Sequence, residues 1–254
     1  MLSDFKMIVH KLPSELPFIN IYPIGDVHIG SKECDIDLLE EWINIVKEDP
    51  FGYAVIIGDM MNMGLKNSKS NVYEEVLNPY QQKELCYELL KPIKHKILAG
   101  CSGNHEARMV KEVGTNPLYD VFCRLQIEDV YRENACFIKV NLGQRRSDRQ
   151  VSYGIVLTHG STTGKDERWA YAVDNCDLFI NGHTHNADHK PLGKIRMDLH
   201  NECVRTVSFQ NIVVVPFQSY GGYALRGKFL PNHLQQFQKI RLFGDSKRVG
   251  YSFE

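Results

Sequence analysis

Four apolar runs rich in β-branched and aromatic residues, at 18–24, 53–57, 153–157 and 178–180, each stop at a short block of glycine, aspartate and histidine. Runs of this length read as buried strands, and buried strands spaced by helical stretches commit a chain to an α/β architecture. Open α/β folds place their sites just beyond strand ends. The blocks Asp26-Val27-His28, Gly58-Asp59, Thr158-His159-Gly160 and Gly182-His183-Thr184-His185 are therefore expected on one sheet edge. A fifth block, Gly103-Asn104-His105-Glu106, follows a shorter strand candidate at residues 96–99.

The intervening segments fit that frame. Residues 35–49 carry Ile36, Leu38, Leu39, Trp42, Ile43 and Val46 at near-helical spacing, which predicts a right-handed crossover helix between two parallel strands. Further helices are predicted over 72–90, 107–113 and 117–125, and a strand pair over 135–142 and 151–157 joined by the polar residues 143–150. Strands at 206–209, 212–216, 239–243 and 249–253, with a turn at Gly221-Gly222-Tyr223, complete the expected order. The polar stretch 64–71 reads as a loop beside the site. No repeat or linker divides the chain, so residues 1–254 are expected to form a single domain.

Composition narrows the function classes. The 254 residues are 43% hydrophobic, enough for a substantial core, and no apolar run reaches the roughly 18 residues needed to span a bilayer. A membrane role is not expected, and the location expected is cytoplasmic. Seven scattered cysteines, with no Cys-x-x-Cys pair, give neither a disulfide framework nor a zinc ribbon and read as reduced, mostly buried thiols. The formal charge of -1 offers polyanions no long-range attraction. Arg145, Arg146 and Arg149 are the one dense basic cluster and read first as a solvated hairpin tip.

The blocks carry metal chemistry. In an extended strand end, residues two apart point the same way, so Asp26 and His28 can grip one cation while Val27 packs on the other side. His183 and His185 repeat that spacing. Asp59 has two carboxylate oxygens and can bridge two ions roughly 3.5–4 Å apart, the separation used by two-metal hydrolases. Asn104 offers a neutral carbonyl oxygen, a weak ligand outside a multidentate cage. Mixed nitrogen and oxygen donors without thiolate suit Mn²⁺, Fe or Zn²⁺. His10, His95, His189, His200 and His233 are left outside the site, with His189 a possible contact to His185. Met60, Met61 and Met63 read as core filling.

Taken in order, the five blocks resemble the calcineurin-like metallophosphoesterase superfamily, whose pattern runs Asp-x-His, Gly-Asp, Gly-Asn-His-Asp/Glu, a lone His after a strand, then Gly-His-x-His. Each block alone is weak, but the set is specific. The resemblance implies two packed mixed β-sheets flanked by helices, a four-layer αββα sandwich. It also implies two divalent ions, one held by Asp26, His28, Asp59 and His185, the other by Asp59, Asn104, His159 and His183, with Mn²⁺ the first choice. His105 beside the ligand Asn104 would protonate the leaving oxygen or stabilise charge on it, with Glu106 orienting or tuning His105. Arg108 and Asn104 would meet the substrate phosphate; a surface ion pair is the competing reading of Arg108. Water between the cations, its pKa lowered to about 7, would attack phosphorus in line.

Gly25-Asp26-Val27-His28-Ile29-Gly30 is similar to the form in the DNA-repair exonuclease and phosphodiesterase branch, whereas Met60-Met61-Asn62-Met63 departs from the Asp-Arg-Gly of the Ser/Thr protein phosphatases. Glu106 replaces the Asp usual in the exonuclease branch. The expected activity is a phosphodiesterase or nuclease acting on a phosphate ester, DNA or RNA among the candidates. A small-molecule phosphomonoesterase or nucleotide phosphodiesterase is the alternative, then a non-hydrolytic scaffold of the same fold. Scaffold relatives typically lose a ligand or the acid histidine; this chain keeps them all. The sequence carries no signal for oligomeric state.

Overall fold

The computed structural model describes residues 3–66, 72–144, 149–161, 165–226, 228 and 238–253. In chain order the elements are β1 (Ile8–Lys11), β2 (Phe18–Ile24), α1 (Ile36–Glu48), β3 (Gly52–Ile56), α2 (Pro79–Leu90) and β4 (Ile97–Cys101). They continue with α3 (Asn104–Val113), α4 (Pro117–Leu125), β5 (Tyr131–Arg132), β6 (Ala135–Leu142), β7 (Val151–Thr158), α5 (Lys165–Tyr171) and β8 (Leu178–Asn181). The last are β9 (Asp188–Asp198), β10 (Cys203–Val213), α6 (Gly222–Arg226), β11 (Gln238–Phe243) and β12 (Val249–Phe253).

Two six-stranded mixed sheets result, ordered β1-β6-β7-β8-β10-β9 and β12-β11-β2-β3-β4-β5. Parallel pairing joins β2 to β3, β3 to β4 and β4 to β5 in one sheet, and β7 to β8 and β8 to β10 in the other. The inner faces share one core: Ile21, Ile24, Val55 and Ala99 lie in the same apolar cluster as Ile138, Val140, Ile155, Leu157 and Ile180. Trp42 and Val46 of α1, Leu90 of α2 and Phe122 of α4 extend that cluster on the outside of the second sheet. A smaller cluster, in which Ala170 of α5 meets Val156, Phe179 and Phe209, covers the outer face of the first. The four expected layers are therefore present.

Local chemistry sets the boundaries. Asp35 caps α1 by accepting from Leu38 N–H at 3.0 Å. At the other end the Lys96 ammonium donates to the carbonyls of Val46, Lys47 and Asp49 at 2.8, 2.9 and 2.7 Å, satisfying oxygens the helix leaves unpaired. The helix expected over 72–90 is shorter: a 3₁₀ turn at Val72–Glu74 precedes α2, which starts at Pro79 behind an Asn78–Gln81 capping box. Proline at the first helical position and the extended bias of the residue before it explain the break.

Other expectations shift similarly. The strands expected at 206–209 and 212–216 are one strand, β10, and Gly222 opens the short α6. β1, β9 and α5 were not expected from the sequence. β9 pairs along its whole length with β10 yet is an edge strand, where Pro191 is tolerated. None of the seven cysteines is in a disulfide; Cys86, Cys101, Cys136 and Cys176 are buried. Met60, Met61 and Met63 fill core. No helix among the described residues is long and apolar enough to cross a membrane. Arg145, Arg146 and His233 lie outside the described residues, as do 67–71 of the expected loop, while Arg149 is exposed.

Candidate metal centre

The ligand blocks sit past the ends of β2, β3, β4, β7 and β8, so both sheets contribute to one edge. They interlock through their backbones. Asp26 N–H donates to Gly58 O, His28 N–H to Asp59 O, and Gly182 N–H to His159 O. The glycines make room: a Cβ on Gly103 would lie 2.1 Å from Asp59 Oδ1, and one on Gly182 2.4 Å from Asp26 Oδ2. Each small residue therefore accommodates a carboxylate from another block.

The side chains converge, though not by strand alternation as expected. Asp26, His28, Asp59, His183 and His185 all have left-handed backbones, with φ of 50°, 55°, 47°, 70° and 53°. Such conformations are uncommon for non-glycine residues and persist only where surroundings impose them, as at functional sites. Val27, between Asp26 and His28, is fully buried.

Each carboxylate is anchored through one oxygen. Asp26 Oδ2 accepts from His183 N–H at 2.8 Å and Asp59 Oδ1 from His105 N–H at 2.8 Å. Their other oxygens face the histidines. Asp59 Oδ2 is 3.2 Å from His159 Nε2 and 3.8 Å from both His28 Nε2 and His105 Nε2. Asp26 Oδ1 is 3.4 Å from His185 Nε2 and 3.9 Å from His159 Nε2. His28 Nε2 and His185 Nε2 approach to 3.3 Å, and Asn104 Oδ1 lies 3.0 Å from His159 Nε2 and 2.8 Å from His183 Nδ1.

Three groups of donors are close enough to hold an ion: Asp26, His28 and His185; Asp59, His159 and His183; and His28, Asp59 and His105. The first two fall within the four-residue sets expected from the sequence; the third adds His105 on the Asp59 side. The chemistry fits cations. Asp26 Oδ1 is buried and accepts no hydrogen bond, an arrangement that is costly for a carboxylate oxygen without a partner. His159 Nδ1–H donates to Ile57 O at 2.8 Å, so it is Nε2 that faces the cluster and that would offer its lone pair once a cation displaces its proton.

Electrostatics in the protein alone agree. Burial pushes the Asp59 carboxyl up, but the imidazoles of His159 and His105 prevail and hold it well below the usual carboxylate range. Burial opposes protonation of His159, yet Asp59 and Asp26 raise it to about 10. Burial, with His105 adding to it, pushes His28 well below its ordinary value. Carboxylates that draw protons onto neighbouring rings are carboxylates a cation would satisfy.

Around this centre the contacts depart from expectation once. Glu106, expected to orient His105, instead accepts from Asp59 N and Gly103 N through Oε2, at 2.9 Å each, and from Met60 N at 3.0 Å through Oε1. It shapes the turn that presents Asp59. Burial, then the Asp59 charge, push its carboxyl up to about 7. The group that fixes His105 is the Asn62 carbonyl, which accepts from His105 Nδ1–H at 2.6 Å and from Arg108 Nη2 at 2.9 Å. Arg108 is thus tied into the site rather than to a surface carboxylate. No side-chain pattern marks a backbone carbonyl, so sequence could not point to it. His189 is turned away, stacked on Tyr251 with Nε2 2.7 Å from Gln210 Oε1.

Residues 19–187, which include all five blocks, match the model of the calcineurin-like phosphoesterase family, and the chain belongs to that family. It is a metal-dependent phosphoesterase. Solved structures similar to it include a metallophosphoesterase from Sphaerobacter thermophilus, at 13% identity over 93% of this chain and 88% of the other, TM-score 0.45. Another is the calcineurin-like phosphoesterase YfkN from Bacillus subtilis, at 11% identity over 93% and 90%, TM-score 0.41. Vps29 complexed with Zn²⁺ from Entamoeba histolytica aligns at 12% identity over 93% and 98%, TM-score 0.37. Among curated proteins, none matches the chain.

Proposed function

We propose that the chain is a phosphodiesterase working with two divalent cations, with a nucleic acid or nucleotide as its substrate class. The observation that carries this reading is the position of Asp59 Oδ2, 3.2 Å from His159 Nε2 and 3.8 Å from His28 Nε2, so one oxygen belongs to both donor sets. Asp26, His28, Asp59 and His185 would hold one cation, and Asp59, Asn104, His159 and His183 the other. Mn²⁺ is the first choice, with Fe or Zn²⁺ as alternatives. When bound, such a pair supplies an acidified water and positive charge against the phosphoryl oxygens.

The chain's own residues do the remainder. His105 gives Nδ1–H to the Asn62 carbonyl and turns Nε2 toward Asp59, and with the ring doubly protonated Nε2–H can pass its proton to the leaving oxygen. Arg108, held at the same carbonyl, offers its remaining guanidinium hydrogens to a phosphate oxygen. A guanidinium in that place can meet the single negative charge of a diester. The glycine-bracketed block around Asp26 and His28 supports the same choice through its likeness to the exonuclease and phosphodiesterase branch.

The test is a parallel assay of Mn²⁺-loaded protein on bis-p-nitrophenyl phosphate, p-nitrophenyl phosphate, single- and double-stranded DNA, RNA and cyclic nucleotides, with metal content measured alongside. Faster diester than monoester turnover and two ions per chain are expected. Hydrolysis confined to monoesters would overturn the diesterase reading, and a single ion per chain the paired centre.

A further inference from the structure

Asn62 is where two groups of the proposed reaction meet, since its carbonyl accepts from both His105 Nδ1–H and Arg108 Nη2. A carbonyl in a connecting segment can aim two side chains only if that segment is fixed. Here β3 has already ended at Ile56, and Met63 has a left-handed backbone with φ 44°. Backbone pairing reaches its first residues, where Asn62 N–H donates to Ile29 O at 2.9 Å beside an Ile29–Met61 bridge, but no strand or helix fixes Met63 and Gly64.

Two side chains from farther along the chain do. Glu75 Oε1 accepts from Asn62 Nδ2 at 2.9 Å and also from Gly64 N–H. Gln82 Nε2 donates to Glu75 Oε2 and to Leu77 O, while its Oε1 accepts from Met63 N–H at 2.9 Å. Gln82 is fully buried in α2, and Glu75 is half-buried. The clamp also reaches the first ligand block. A Cβ on Gly30 would lie 2.4 Å from Gln82 Nε2, and Val76 N–H donates to Gly30 O at 2.9 Å. Residues 62, 63 and 64 are thus each tied by a polar bond to one carboxylate–amide pair.

We propose that Glu75 and Gln82 are positioning residues that hold the Asn62 carbonyl, so that it accepts Nδ1–H of the His105 imidazolium and leaves Nε2–H aimed at the leaving oxygen, with Arg108 aligned beside it. The inference rests on the reading of His105 as proton donor. Released from the carbonyl, the imidazole would redistribute its proton between its two nitrogens. A loop staple with no such role would change stability without changing the tautomer.

The experiment uses full-length Zn²⁺-loaded protein at a pH where His105 is neutral, with long-range ¹H–¹⁵N correlation reading which nitrogen faces the Asn62 carbonyl from the tautomer, assigned by the signal lost in His105→Ala. Glu75→Gln sets an amide N–H₂ against the Gln82 amide, and Gln82→Met removes the bond to Met63; the second variant serves if the first folds poorly. Both are expected to shift His105 away from the Nδ1–H form with bound zinc unchanged. Both should also lower kcat for an alkyl phosphodiester by about tenfold, the lower end of a misaligned general acid, while an aryl diester with a good leaving group changes less than about twofold. An unchanged tautomer, or equal losses on the two diesters, would overturn the positioning role. His105→Ala separates the two claims: if it shows no leaving-group dependence, the acid assignment fails and takes the proposal with it. If it does and the clamp variants do not, the clamp alone fails.

Discussion

At the scale of single residues, the centre depends on side chains whose two ends do different things. Asp26 and Asp59 each spend one oxygen on a backbone amide and keep the other for the cluster. Replacing Asp59 by Asn should therefore preserve the turn while weakening both donor sets, and metal analysis should find less than half the wild-type content. His105→Ala is expected to lower turnover roughly 10²–10⁴-fold with metal content retained, the usual range for a lost general acid; undiminished hydrolysis of a poor leaving group would remove His105 from that role. Glu106→Gln replaces an acceptor of several amide hydrogens by a group with one acceptor oxygen. In a fully buried position this should cost about 1–3 kcal/mol, read as a lower denaturant midpoint. The convergence of the candidate donors was legible in the sequence because each block pairs a glycine with a side chain that has few other reasons to follow a buried strand. The left-handed backbone and the role of Glu106 were not, since both arise from contacts between blocks far apart in the chain.

At the scale of elements, α1 shows how polar bonds place a helix against its sheet. Asp49, just beyond it, accepts from Asn20 Nδ2 at 2.7 Å, Tyr22 OH at 2.9 Å and Phe51 N–H at 2.9 Å. Burial pushes this carboxyl up, but these three bonds outweigh it and leave it below its ordinary value of 3.8. A folded-state value below the unfolded one means the contribution is fully present above the unfolded pKa and is lost as pH falls through the folded pKa. Unfolding midpoints of wild type and Asp49→Asn should consequently converge as the solution is acidified below about pH 4; a constant difference would show that the carboxylate charge is unimportant. Lys96→Met, which removes the cap on two α1 carbonyls and that of Asp49, should cost about 1–2 kcal/mol at neutral pH. Elements with clear apolar periodicity, such as α1, α4, β2 and β7, were readable in advance. β9 was not, because Pro191 and Gly193 argue against a strand and leave only the short alternation Lys194-Ile195-Arg196-Met197 to suggest one. Its partner β10 supplies the pairing that its own sequence does not advertise.

At the scale of the whole molecule, one edge gathers loops from two sheets that share a core but no hydrogen-bonded ladder. Cations bound there would link the sheets and stabilise the folded state by mass action, about 2.7 kcal/mol at a hundred times the dissociation constant. For a chain of this size that corresponds to a fall of roughly 5–10 °C in Tm on chelation, restored by Mn²⁺. An Asp59→Asn protein should respond to the chelator much less, and an equal response would place the stabilising ion elsewhere.

Asp26, His28, Asp59 and Asn104 are carried by one sheet, and His159, His183 and His185 by the other. Each donor set draws on both sheets, so the geometry within it is a readout of how the layers are aligned, much as a vernier reports the offset of two scales. A substitution buried midway between the sheets, such as at Ile24 or Ile155, can detune the chemistry without touching a ligand.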